Sequence, residues 1–297
     1  MQNIIRVVNS KKIVPYVFLF PFISFFAIFR IWPIIWSFFI SFTDFRGGEM
    51  NFIGLQNYIS LFNDRLFRIA VINTFYFVIV YNIIMISFAV VLAVVVSSPK
   101  IGGRKIYRSI YFIPIAMMLP VVAIVFDLIF ARNIGLINAL FNMLGLEYNL
   151  RMFGSANTAM WGVIIMRVWR AMGYYCAFFL AGLTGISKEI YESASIDGAG
   201  AVNTFIRITL PLLKPIFMFV LVMSTILSFQ LFDEPWILTQ GGPANSTLTL
   251  QIFLYQTSFL EGQLGRGSAV AYAMTLFMLA FSIIYVRRLS EKEGGVR

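Results

Sequence analysis

The chain has 297 residues, of which 60% are hydrophobic, 17% aromatic and only 12% charged. Soluble domains carry about a quarter charged residues, so this composition excludes an ordinary water-soluble fold and points to lipid as the solvent. The formal net charge of +10 does not indicate nucleic acid, because the basic residues lie between long apolar runs and form no single patch.

Arg6, Lys11 and Lys12 precede the first apolar run. That run outlasts the h-region of a signal peptide and lacks a small-x-small cleavage site, so it reads as an uncleaved first helix. A crossing helix needs about 20 mostly apolar residues. Six stretches qualify, at about 13–36, 69–97, 109–131, 158–184, 213–234 and 267–286. None shows the short alternation of barrel strands. The expectation is an all-α polytopic membrane protein, one transmembrane domain over residues 1–297 with six transmembrane helices.

The connections differ in character. The segment 43–68 is polar and aromatic and contains Phe52-Ile53-Gly54-Leu55-Gln56-Asn57-Tyr58, whereas 99–108 is short and basic. Fourteen Lys and Arg residues lie in 1–12, 99–108, 185–214 and 287–297, against six in 43–68, 132–157 and 237–266. Basic loops stay on the cytoplasmic side, so both termini are predicted to be cytoplasmic. The single cysteine, Cys176, cannot form an internal disulfide, and the absence of His leaves no Cys/His metal cluster and no histidine proton relay.

Ionisable residues near membrane depth are Arg30, Asp127, Arg167, Arg170, Asp233 and Glu234. Those near span ends can snorkel to the headgroups. Arg167 and Arg170 lie well inside the fourth run. Sugars are held by planar hydrogen-bonding groups and by aromatic faces. The fourth span offers Trp169, Arg170, Tyr174 and Tyr175, and the fifth offers Ser224, Ser228, Gln230 and Asp233. The same tyrosines equally suit helix packing or an aromatic belt, and the serines a small-residue packing face.

The segment 185–214 is the unusual one. Ser187 can cap a short helix, Gly198 can break it, and Asp197 can cap the next. Val202, Phe205, Ile206 and Thr209 then fall on one face at helical spacing. The expectation is two short amphipathic helices meeting at Asp197-Gly198 on the cytoplasmic side. By itself such a segment is also compatible with a solvated connector or a helix lying on lipid.

Glu192-Ser193-Ala194, then Gly198, then Ile208-Thr209-Leu210-Pro211 resemble the EAA loop of bacterial ABC importer permeases, with Ser193 where the motif has Ala. Asp197-Gly198-Ala199 resembles the form found in carbohydrate permeases. So do the Phe52–Tyr58 stretch, Asn73-Thr74, Leu180-Ala181-Gly182-Leu183, Phe232-Asp233-Glu234-Pro235 and the stretch from Thr239 to Thr247. The resemblance covers nearly the whole chain and is to the maltose type of binding-protein-dependent permease.

That resemblance implies a type I ABC importer permease fold in the bacterial cytoplasmic (plasma) membrane. It implies import of a sugar or oligosaccharide by alternating access, as one half of a heterodimer with a second homologous permease. The other implied partners are two ABC ATPase subunits, an extracytoplasmic sugar-binding protein and membrane lipid, with no nucleic acid. ATPase coupling falls to Glu192, Ser193, Ala194, Asp197, Gly198 and Ala199. The substrate path falls to Trp169, Arg170, Tyr174, Ser224, Ser228, Gln230 and Asp233.

No catalytic or metal residue is expected, and no cofactor in this chain. A P-loop needs Gly-x-x-x-x-Gly-Lys-Ser/Thr, and no Gly-Lys pair occurs, so ATP and Mg belong to the ATPase partners and the chain is a transporter subunit, not an enzyme. A secondary transporter would call for buried coupling carboxylates and often inverted repeats. Only Asp127, Asp233 and Glu234 lie near membrane depth and no repeat is visible. A membrane enzyme would need a nucleophile or metal constellation, and none is present.

Overall fold

The computed structural model describes residues 14–97, 104–132, 134–145 and 151–290. The basic segments 1–12 and 99–103 and the tail from 291 onward, all used in the topology argument, lie outside the described residues. Among the described residues the protein is helical, with one isolated β-bridge between Thr43 and Phe52. The chain packs as two units, residues up to Asn63 with Leu254–Ala273, and Asp64–Phe253 with residues from Met274 onward.

In the first unit, α1 (Val14–Ile40) is a 27-residue apolar helix with a π-turn at Ala27–Ile31. Nothing in its most apolar window is buried, and Phe18, Phe22 and Phe25 lie on its surface. Such a surface is stable only against acyl chains or another apolar protein surface. Pro21 sits inside the helix, which a membrane helix tolerates through local π and 3₁₀ adjustments. The chain then turns through Asp44, which accepts from the Asn51 backbone N–H at 2.8 Å and from its side-chain amide at 3.2 Å. These bonds hold the Asp44 carboxyl below the usual carboxylate range. Their support of the turn is in place at neutral pH and is lost as pH falls through that lowered value. The helix α2 (Gln56–Asn63) follows.

The second unit begins with α3 (Arg65–Ser97), α4 (Arg104–Ala116), α5 (Leu119–Ile129), α6 (Leu136–Met143) and α7 (Ala159–Thr184). It continues with α8 (Lys188–Ile196), α9 (Ala201–Leu212), α10 (Lys214–Phe229) and α11 (Asp233–Thr239). Two further helices, α12 (Leu250–Tyr255) and α13 (Leu264–Ser290), contribute residues to both units.

The core of the second unit lies between α3 and α7. Phe77, Tyr81 and Met85 from α3 pack with Ile164, Tyr175 and Phe179 from α7. Gly173 sits where a Cβ would collide with the Tyr111 carbonyl, so α4 and α7 cross at backbone distance. Small residues at membrane helix crossings serve this close approach.

Among the described residues four helices are long and apolar enough to cross a membrane, and up to six spans result if each of two bent pairs counts as one. The run 109–131, read from sequence as an uninterrupted span, is broken: Ser109–Ala116 and Leu119–Ile129 meet at 104°. Met118 is extended (ψ 127°) and a proline follows at the start of α5, which removes a helix donor at the join. The second pair, α9 and α10, meets at 67°.

Candidate functional site

The segment 185–214 folds as two short helices joined by a tight turn. The Ser187 side chain accepts from the Glu189 backbone N–H at 3.3 Å and caps α8. The helix ends in a Schellman motif: Gly198 N–H donates to the Ser195 carbonyl at 3.1 Å and Ala199 N–H to the Ala194 carbonyl at 2.9 Å. Gly198 has φ +75°, the left-handed conformation this motif requires at the residue after the cap. Asp197 is the C-cap of α8, and Gly200, extended at ψ 161°, precedes α9. Asp197 therefore does not cap the second helix as its position in sequence suggested, because the Schellman turn consumes three residues before helical geometry resumes.

Of the residues assigned to coupling, Ala194 is buried, Ala199 half-buried, and Glu192, Ser193, Asp197 and Gly198 are exposed. Ser193, Ala194, Asp197 and Ala199 share one shallow hollow of about 440 Å³ with Glu189, Ile190 and Ile208. Beside it Ile196 is 86% and Val202 71% exposed. Three of its lining residues, Ser193, Ala194 and Ala199, carry small side chains, so a partner surface can approach the backbone there. Tyr191 and Thr209 share a hydroxyl–hydroxyl hydrogen bond at 3.2 Å that ties α8 to the returning leg. The second helix does not present the single face expected of it. Thr209 is buried while Val202 and Ile206 are exposed, because a π-turn at Phe205–Thr209 widens the helix there and shifts its phase.

Within the membrane-spanning part, α7 and α11 are joined by an ion pair. The Arg167 guanidinium donates to Glu234 Oε1, with Glu234 1% exposed. Tyr81 and Tyr175 stand beside the guanidinium. Glu234 Oε2 and Arg170 Nε are buried without hydrogen-bond partners. A second polar contact lies between α3 and α10, where Ser224 Oγ donates to Asn82 Oδ1.

The substrate-path residues are placed as follows. Ser224 and Ser228 are fully buried, and Ser228 Oγ donates to the Ser224 carbonyl, so both hydroxyls are bonded inside the chain. Gln230 and Asp233 are exposed at the far end of α10 and the start of α11. Tyr174 is half-buried and packs edge-on against Tyr175 and Phe178. Trp169 packs on Phe126 at 5.4 Å and lines an apolar groove with Ile84 and Phe88.

The polar contacts at Asn82, Arg167 and Glu234 lay outside the residues assigned from sequence. The available signal for Asn82 was a carboxamide deep inside a 33-residue apolar helix. For Arg167 and Glu234 the signal was opposite charge at membrane depth. Among the described residues no group of His, Cys, Asp and Glu could hold a metal ion.

The family described as "Binding-protein-dependent transport system inner membrane component" matches residues 86–291. The arabinooligosaccharides transport system permease protein of Bacillus subtilis is 36% identical, over 96% of this chain and 91% of that protein. The lactose transport system permease protein of Rhizobium radiobacter is 33% identical, over 94% of each. Among solved structures, a bacterial ABC transporter that imports the acidic polysaccharide alginate superposes with a TM-score of 0.84 at 19% identity. That superposition covers 97% of this chain and 99% of that one. A second structure, the alginate transporter in complex with its pentasaccharide-bound periplasmic protein, gives a TM-score of 0.82 at 20% identity, over 93% of this chain and 94% of that one.

Proposed function

The chain belongs to the binding-protein-dependent inner membrane transport components, and from that membership we propose that it is the permease subunit of an ATP-driven importer for a sugar or oligosaccharide. The observation that carries the coupling half of this reading is the α8–α9 turn. A glycine at φ +75° and a hollow lined in part by Ser193, Ala194 and Ala199 offer a close-approach seat of the kind a docking protein needs. The sugar half rests on the named substrates of the relatives.

In this reading the chain pairs with a second homologous permease. Two ABC ATPases seat on the paired α8–α9 turns, and an extracytoplasmic binding protein delivers the sugar. Closing of the ATPase pair on ATP moves the turns and shifts the permeases between inward-facing and outward-facing states, an equilibrium biased by nucleotide. Gln230, Asp233, Tyr174, Trp169 and Arg170 border the path. Ser224 and Ser228 join it only when α10 parts from α3. Magnesium and ATP act in the ATPase subunits, since no P-loop is encoded here.

The test is a comparison of two preparations. The chain purified alone should hydrolyse no ATP. The complex purified through it from its own host should do so, faster when the sugar-loaded binding protein is added. ATP hydrolysis by the lone chain, or a complex indifferent to the binding protein, would refute the reading.

Orientation follows from the basic loops. Both termini are proposed to face the cytoplasm. A reporter active only outside the cytoplasm, fused after Arg297, should be silent, and clear activity would reverse the topology.

A further inference from the structure

The segment between the first two apolar helices carries a feature that coupling and transport do not use. Leu55, directly before α2, and Ile59 and Phe62 within it recur at i, i+4 and i+7, with Phe52 just ahead. They are 61%, 60%, 63% and 79% exposed. Gln56, Ser60 and Asn63, also exposed, form a polar stripe beside them. The opposite side of α2 is buried through Asn57 and Leu61. The exposed surface is thus divided lengthwise, one stripe apolar and the next polar.

The depth of α2 is set by hydrogen bonds to the end of α1. The Asn57 amide donates to the Ser41 carbonyl at 2.9 Å and to the Thr43 carbonyl at 2.8 Å. The Tyr58 and Ser41 hydroxyls are bonded at 2.9 Å. Both carbonyls belong to the turn directly after α1, which ends at Ile40, so these bonds fix α2 to the chain as it leaves the first helix. The start of α13 is held at the same level. Gly265 N–H donates to the Phe45 carbonyl at 3.0 Å, and a Cβ on Gly265 would collide with the Thr43 carbonyl. Two apolar membrane helices therefore end or begin where α2 is attached. The apolar surface of α1 continues up to that level through exposed Phe39, which puts α2 near the edge of the hydrocarbon.

We propose that α2 is an interfacial anchor whose Phe52, Leu55, Ile59 and Phe62 side chains enter the boundary between lipid headgroups and acyl chains. A helix at that boundary needs one flank for hydrocarbon and the adjoining flank for water, which the two stripes provide. By holding the Ser41 and Thr43 carbonyls of the turn that follows α1, Asn57 couples the depth of the anchor to the end of the first span. The proposal uses the membrane alone and stands whichever side of it α2 occupies.

The experiment uses the chain in its purified complex, reconstituted into vesicles of phosphatidylethanolamine and phosphatidylglycerol. Cys176→Ala removes the native thiol, and single cysteines at Ile59, Phe62, Ser60 and Asn63 carry a nitroxide label. These four positions are exposed, so the label displaces no core. Collision with oxygen, which concentrates in lipid, is compared with collision with a water-soluble nickel chelate. At Ile59 and Phe62 the logarithm of the oxygen-to-nickel ratio should be positive, and at Ser60 and Asn63 negative. Nickel-dominated collision at Ile59 and Phe62, or no contrast between the stripes, overturns the proposal. Loss of both collisions at Ile59 and Phe62, with or without the loaded binding protein, overturns it in favour of a protein-covered face.

Discussion

Glu234→Ala is expected to lower the stability of the complex and to abolish transport. The Arg167 guanidinium would lose the carboxylate it donates to, in a place where its side chain is only 19% exposed. Breaking a buried pair by deleting one partner costs about 3–5 kcal/mol, more than the pair itself contributes, because the remaining charge is left uncompensated. Melting of the detergent-solubilised complex should fall accordingly, and Arg167→Ala should resemble it. The informative variant removes both charges. Arg167→Met with Glu234→Met should recover most of the melting temperature, since apolar replacement of a buried pair is often neutral. If uptake returns as well, the pair serves packing alone. If stability returns without uptake, the pair acts by keeping α7 and α11 together as the α8–α9 turn moves. An unchanged melting temperature in Glu234→Ala would show that Arg167 finds another partner and that the pair has no such role.

Why the pair was not legible from sequence is a matter of distance along the chain. Arg167 and Glu234 are 67 residues apart and Asn82 and Ser224 are 142 apart. Hydropathy shows that each is costly in lipid but says nothing of which helices pack together. The all-α class and the apolar helices were legible because mostly apolar runs of about 20 residues have few other solutions. The break at Met118 was not, because a window average is insensitive to one extended residue, although prolines at 114 and 120 marked the place. In the 185–214 loop the Ser187 cap and the turn at Gly198 were readable, each being fixed by local backbone chemistry. The role of Asp197 was misread because the residue both ends one helix and precedes another, and only the hydrogen bonds from Gly198 and Ala199 decide between these.

Gly198→Asp is expected to leave insertion and permease pairing intact while removing the ATPase from the complex. Gly198 closes the Schellman turn at φ +75°, and no atom lies within 4 Å of the place a Cβ would take. The chain by itself would therefore accommodate a side chain in space. Its cost within the chain is conformational, about 1–2 kcal/mol for a residue with a Cβ in the left-handed region, and least for Asp or Asn. A large defect in the Asp variant must then come from outside the chain, where bulk and an unpaired charge are pressed into a docked surface at a cost of several kcal/mol. Gly198→Ala separates the two contributions. It brings the backbone strain with little bulk and no charge, so it should retain much of the ATPase, whereas Gly198→Asp should not. Gly198→Asn, nearly the shape of Asp without the charge, should fall between them. The measurement is the amount of ATPase that co-purifies with the tagged chain, together with sugar uptake in vesicles. Equal loss in Ala and Asp variants would place the requirement in the turn itself. Normal ATPase recovery with normal uptake in Gly198→Asp would mean that the α8–α9 turn is not the seat of the ATPase.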